Sequence, residues 1–271
     1  LKPGRGLVSL TGVHPLSPSL DTVGVLATDV ATAAQVLAVI SGPDGATANR
    51  EPFDPRGALA TDVSGWRVAA APLDNLGTLD PEVARLYAEA LERLSGAGVM
   101  VETTRPPQAL EQSFAPNGVI MAGEGWRIWR ARIEAHRAQM DPWIVRRFEA
   151  GREVDDEGLA QAHLQRAADQ ASFHAWLSGF HATVSPTCPI PAPPLEEVDE
   201  TTSPLSRLTR AANYLDLPAI SVPCGLTRDG LPVGLQIIGR RGCEAETVAL
   251  GAAFERVSGW AGRRPDLSGF S

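Results

Sequence analysis

The sequence predicts an α/β fold, and three stretches carry that prediction. "WRVAAAPLDNLGTLDPEVARLYAEALERLSGAGVMVET" (66–103) runs from a short apolar segment through a capped helix to a second apolar segment. "AISVPCGLTRDGLPVGLQII" (219–238) holds two runs rich in β-branched residues about a polar turn. Between them, residues from about 107 to 181 are mostly helical in pattern. Strand, helix and strand in that order predict a right-handed βαβ unit with parallel strands. No composition shift marks a linker, so residues 1–271 read as one continuous domain.

Taken in order, residues 1–28 mix Gly, Pro and Ser with short apolar runs and read as strands and loops wrapped on a larger body. Asp29 then caps a helix whose apolar positions Val30, Ala33, Ala34, Leu37 and Ile40 recur at helical spacing until Gly42-Pro43 ends it. Residues 43–64 are polar and rich in Pro and Gly, which predicts a surface loop. In the helix that follows the first strand, Asp80 is the N-cap and Pro81 takes the first helical position. Val83, Leu86, Tyr87, Ala90, Leu91 and Leu94 form its buried stripe. Within the helical middle, Trp126, Trp129, Trp143, Phe148, Phe173, Trp176 and Phe180 are expected in the core. "ATVSPTCPIPAPP" predicts a strand running into a proline-rich loop, and a short helix is expected over roughly 203–215. Ala219–Val222 and Val233–Ile238 are strands joined at Arg228-Asp229-Gly230, where Gly230 supplies a positive φ. "CEAETVALGAAFERVSG" is a closing amphipathic helix.

Composition narrows the function classes. Hydrophobic content is 44% and mean hydropathy −0.06, no apolar run reaches membrane-spanning length and no signal peptide opens the chain. These features predict a cytoplasmic globular protein. A net charge of −8, spread without acidic blocks, argues against nucleic acid as a partner. Three cysteines with no CxxC spacing point to a reducing compartment and no structural zinc. GxGxxG, GxxxxGK[ST], HExxH and GxSxG are all absent, so no cofactor, metal or nucleophile elbow is expected. Asp155, Asp156 and Glu157 read as a solvated helix start. Cys224 reads as a buried thiol where a strand ends: no His follows it, and none of the five histidines lies in a Cys-His signature. Lys2 is the single lysine among 24 basic residues.

From its own residues the chain shows a fold and no catalytic constellation. Two segments, however, closely resemble the amidase signature family: "LKPGRGLVSLTGVHPLSPSLDTVGVLATDVATAAQVLAVISGPD" and "NYLDLPAISVPCGLTRDGLPVGLQIIGR". "VSPTCPIPAPP" resembles the family's Pro-rich strand, while residues 45–180 match only in pattern. The resemblance implies an amidase-signature-type mixed β-sheet core flanked by helices on both faces, with the N-terminal part missing. It implies hydrolysis of a linear amide by a serine nucleophile, assisted by a second serine on a cis peptide bond and by a lysine base. An acyl-enzyme forms, and backbone N–H groups stabilise the oxyanion. That machinery is expected upstream of the Leu-Lys-Pro phrase, so no catalytic residue is assigned here. Lys2 matches the phrase's structural lysine, and the chain alone is expected to be inactive.

What remains is the acyl side of the pocket. In the family, an arginine-bearing turn and the helix before the late strand pair border the substrate; here these read "VRRFEAG" and "SRLTRAANYLDLP". Arg146 or Arg147 could hold a substrate carboxylate, with a solvated helix face or a structural ion pair as the ordinary alternative. Ser206 stands by spacing where the amidotransferase A subunits place an acidic residue for the substrate's amino group, so glutamine loses its ammonium partner. Thr209 and Asn213 are pocket or strand-support residues, and Asp21 is expected to anchor a loop through backbone hydrogen bonds. The expected partner is a small-molecule amide, with a homodimer as the candidate assembly. The competing readings are a non-catalytic scaffold or binding chain and the glutamine-using amidotransferase component.

Overall fold

The computed structural model describes residues 1–199, 204–260 and 262–263. Its centre is a mixed five-stranded sheet made of β1 (Arg67–Ala70), β2 (Met100–Thr103), β3 (Ala182–Pro186), β4 (Ala219–Leu226) and β5 (Pro232–Gly239). The order is β2-β1-β3-β5-β4. β1 lies parallel to both β2 and β3, and the β3–β5 and β5–β4 pairs are antiparallel. At the outer edge of β4, Lys2 bridges to Ala219 in antiparallel sense, so the start of the chain extends the sheet.

Helices form where caps and stripes coincide. α1 (Val30–Ile40) starts at Asp29, whose carboxylate accepts the Thr32 amide. The predicted loop over 43–64 is broken by α2 (Pro55–Ala60), which is capped by Asp54 and buries Ala58. α3 (Pro81–Gly96) has the expected Asp80 cap and buries Val83, Leu86, Tyr87, Ala90 and Leu94, while Leu91 is half-buried. α4 (Phe114–His136), α5 (Pro142–Glu149) and α6 (Asp156–Leu177) make up the helical middle. Of its aromatic residues only Phe173 and Phe180 reach the core; Trp126, Trp129, Trp143, Phe148 and Trp176 stay half-buried. Arginines stack over three of those rings, Arg152 on Trp126, Arg132 on Trp129 and Arg146 on Trp143. These tryptophans therefore pair with cations at the surface instead of filling the interior.

The helix expected over 203–215 is a series of turns followed by a single short helix, α7 (Arg210–Tyr214); Ser203 lies outside the described residues. α8 (Glu244–Ser258) is not amphipathic, because ten of its 15 residues are buried. It packs against β4, β5, α1, α2 and α3, so almost every side of it meets protein. β4 runs on past Cys224 to Leu226, with a register shift between Pro223 and Gly225. The thiol thus sits beside a bulge within the strand and not at its end. The turn after β4 closes as predicted: Gly230 takes φ 81° and donates its amide to the Thr227 carbonyl at 3.0 Å.

Candidate functional site

Strand register builds a polar row on one face of the sheet. Ser221 of β4 is paired with Gln236 of β5, and Gln236 with Ser185 of β3. Side chains of directly paired residues share a face. Gln236 Nε2 donates to Ser185 Oγ at 3.0 Å and to the Leu208 carbonyl at 3.5 Å, which ties the row to the chain entering α7. Thr187 Oγ1 and Ser221 Oγ lie 2.6 Å apart. They have room because position 234 is glycine: a Cβ there would stand 2.6 Å from Ser221 Oγ and 2.8 Å from Thr187 Oγ1.

Over this row opens a cleft of 310 Å³ whose lining includes Lys2, Gly24, Leu26, Thr187, Thr209, Ser221 and Gln236. Lys2 is held by its bridge to Ala219, and its Nζ donates to the Pro3 carbonyl at 2.8 Å. Burial pushes the Lys2 ammonium down to about 8, against the opposing pull of Asp216 and Glu244. The cleft thus combines hydroxyls, one carboxamide and a buried amine, a set of hydrogen-bond donors and acceptors suited to holding a polar group.

The sequence-predicted residues are only partly brought together. Thr209 lines the cleft, and its Oγ1 donates to the Ser206 carbonyl at 3.3 Å. Ser206, half-buried, supports the turn through that carbonyl, which also accepts the Arg210 amide. The Asn213 carbonyl accepts from Arg166 at 3.3 Å, and its side-chain oxygen is buried without a hydrogen-bond partner. Arg147 lies apart, at a smaller apolar pocket formed with Leu16, Met121, Ala122, Ile144 and Phe148. Asp21 anchors its loop as expected, accepting the amides of Leu16 at 2.9 Å and Ser17 at 3.1 Å.

Ser221, Gln236 and Thr187 were missed. The available signal was a lone glutamine in the apolar run "VGLQIIG", which must find a polar partner once buried. Cys224 is no nucleophile: its Sγ donates to the Val233 carbonyl at 3.4 Å, and burial pushes the thiol up to about 12. Three histidines have other partners: His163 faces Glu124 at 3.1 Å, His174 meets the Leu215 carbonyl at 2.7 Å, and His181 stacks on Trp66. Among the described residues no cluster of His, Cys, Asp and Glu could hold a metal ion.

The family model described as Amidase matches residues 1–248. The chain belongs to the amidase signature family. This amidase-family chain is 31% identical over 299 residues to the glutamyl-tRNA(Gln) amidotransferase A subunit of Chloroflexus aggregans, covering 99% of itself and 60% of that relative. Against the corresponding protein of Myxococcus xanthus it is 33% identical over 288 residues, covering 94% of itself and 59% of the relative. The solved Thermotoga maritima counterpart superposes with a TM-score of 0.80 at 29% identity, over 96% of this chain and 57% of that one. The chain thus spans about 60% of the length of the curated relatives it matches. No helix among the described residues is long and apolar enough to cross a membrane.

Proposed function

We propose that residues 1–271 form one partial amidase domain, the acyl-side wall of an enzyme that hydrolyses a linear carboxylic amide to an acid and ammonia or an amine. The carrying observation is the family match over residues 1–248 together with the cleft at Thr209. In this reading Lys2, Thr187, Ser221 and Gln236 shape the floor beneath the amide, and Arg147 orients the far end of the substrate. The serine nucleophile, its bridging serine and the lysine base are assigned to a segment that this sequence does not contain. Those groups act as a unit, so the chain by itself is expected to turn over no amide above background.

The test is an assay of the purified chain against a panel of aliphatic and aryl amides, with a serine-directed fluorophosphonate as label. Turnover that survives repurification and is lost in Ser221→Ala or Lys2→Met would move the active site into the cleft itself and overturn the assignment. A second reading, a glutamine-using amidotransferase component, is favoured by the names of the curated relatives. Ser206 counts against it, since a hydroxyl offers no charge to an ammonium. Complementing the chain with the remaining part of a relative, and comparing kcat/KM for glutamine and for a simple aryl amide, separates the two. A glutamine preference would favour the amidotransferase.

A further inference from the structure

Two helices grip the loop at residues 15–21. From α4, Glu124 Oε2 accepts from Ser17 Oγ at 2.6 Å and from the Ser19 amide at 3.1 Å, and Trp129 Nε1 donates to the Pro15 carbonyl at 2.7 Å. From α6, Arg166 donates to the Ser19 carbonyl at 2.9 Å. The two jaws are also joined directly, because His163 Nε2 of α6 stands 3.1 Å from Glu124 Oε1. One carboxylate thus holds the loop with one oxygen and the facing helix with the other. Ser17, within the grip, is buried. The gripped loop in turn gives Pro15, Pro18 and Asp21 to the wall of a 440 Å³ cavity.

Burial pulls the Glu124 carboxyl up, but its bonds to Ser17 and Ser19 and the charge of His163 hold it below the usual carboxylate range, so it is ionised at neutral pH. The other charged groups about the pair have partners of their own. Arg127 of α4 pairs with Asp156 of α6 at 2.6 Å. Further along α6, Arg166 is engaged by carbonyls and Asp169 by the Tyr214 hydroxyl. On the loop, Asp21 accepts the Leu16 and Ser17 amides. From the chain start, Arg5 donates its side chain to the Pro18 carbonyl at 2.8 Å and its amide to Asp216 at 3.1 Å. Histidine is the only side-chain type in this set that ordinarily changes charge between about pH 5 and 8. Besides His163 the set holds His14, whose ring centroid lies 5.7 Å from that of Trp129.

We propose that His163 and Glu124 form a proton-operated clamp on the loop at residues 15–21: with His163 charged the pair draws α4 and α6 onto the loop, and with His163 neutral the grip relaxes. Protonation turns a neutral hydrogen bond into an ion pair with a carboxylate that is already ionised, so the clamp tightens as pH falls. His163 is 36% exposed and Glu124 14%, so solvent screens the gain and keeps it modest. The clamp is a property of the folded chain and does not rest on the amide-hydrolase reading.

In the purified, isotope-labelled 271-residue chain, protection of the Ser19 amide from hydrogen exchange is measured by NMR at about pH 5 and about pH 8, the ends of the histidine range, with the intrinsic rate at each pH divided out. Protection should be about threefold higher at the lower pH, the scale of a part-exposed ion pair. His163→Gln should lose that difference and hold the value that the wild type shows at the higher pH, while His163→Arg, with a fixed charge, should stay well protected at both. His14→Gln should behave as the wild type does. Thermal melts confirm the fold of each variant. Protection that does not change with pH in the wild type would overturn the proposal. So would a pH dependence that survives in His163→Gln or vanishes in His14→Gln, or an Arg variant no better protected than the Gln variant at the higher pH.

Discussion

Two helices of this chain are held in place by opposite means. α8 buries ten of its 15 residues, whereas α6, with 22 residues, buries only Arg166, Phe173 and Leu177. α8 is fixed by apolar contact on nearly all sides. α6 grips backbone instead: the Arg166 guanidinium donates to the carbonyls of Tyr214 at 2.7 Å, Ser19 at 2.9 Å and Asn213 at 3.3 Å. Gln170 Nε2 donates to the Tyr214 carbonyl at 2.9 Å, and Asp169 accepts the Tyr214 hydroxyl at 2.7 Å. The difference teaches where precision is needed. Apolar burial does most of the holding for the helix that closes the core, with Glu244 and Glu255 adding bonds at its flanks, while the end of α7, next to the cleft, is positioned chiefly by bonds with fixed geometry.

The largest effect is expected where apolar burial holds most of the element. Phe254→Ala, at a fully buried position of α8, should cost about 3–5 kcal/mol in denaturant unfolding. A loss below about 1 kcal/mol would mean that α8 can collapse onto the cavity, and the contrast would break. Next comes Arg166→Met, which takes the guanidinium from three carbonyls, leaving Tyr214 with Gln170 and Asn213 with the Asp216 amide, and should cost about 2–3 kcal/mol. Hydrogen exchange should quicken at residues 213–217 and stay slow in α8. Arg166→Lys should recover only part of the loss, because an ammonium cannot span the same fork of acceptors. Full recovery would show that charge and not geometry holds the turn. Cys224→Ala should cost about 1 kcal/mol and leave the turnover of a complemented enzyme intact; a thousandfold fall in kcat with an unchanged fold would contradict its structural role.

The last effect concerns Lys2 in the cleft and shows itself only as a pH dependence. Folded Lys2 is held at about 8, whereas an unfolded lysine titrates near about 10.4. Between those values the unfolded chain binds more protons, so this group makes stability rise with pH across that window. Lys2→Met removes the contribution. The wild-type stability curve should therefore climb relative to that of the variant between pH 8 and about 10.4 and run parallel to it below pH 8. Parallel curves throughout would show that Lys2 is solvated in the folded protein.

Legibility followed the range of the interaction. Asp80-Pro81 and the stripe from Val83 to Leu94 announced α3 because cap and period lie within one segment. Asp54-Pro55 carried the same cap signal for α2, but six residues are too few to display a helical period. The half-buried tryptophans were misplaced because only the packing of the helices shows which rings are left at the surface, although Arg132 and Arg146 stand three residues after Trp129 and Trp143, at a spacing that brings them onto those rings. At the candidate site, Thr209 was legible from the resemblance, while Ser221, Gln236 and Thr187 were not, since their meeting depends on register between separate strands.

The sequence by itself determined the capped helices, the turn at Gly230 and the family, because caps, turn chemistry and motif phrases are satisfied within a few residues of themselves. Only the tertiary structure decided that α8 is buried on most sides and that Lys2, Thr187, Thr209, Ser221 and Gln236 share one cleft. Those outcomes depend on chain segments about 200 residues apart closing onto one sheet. The free energy of such closure belongs to the packed whole and not to any local stretch.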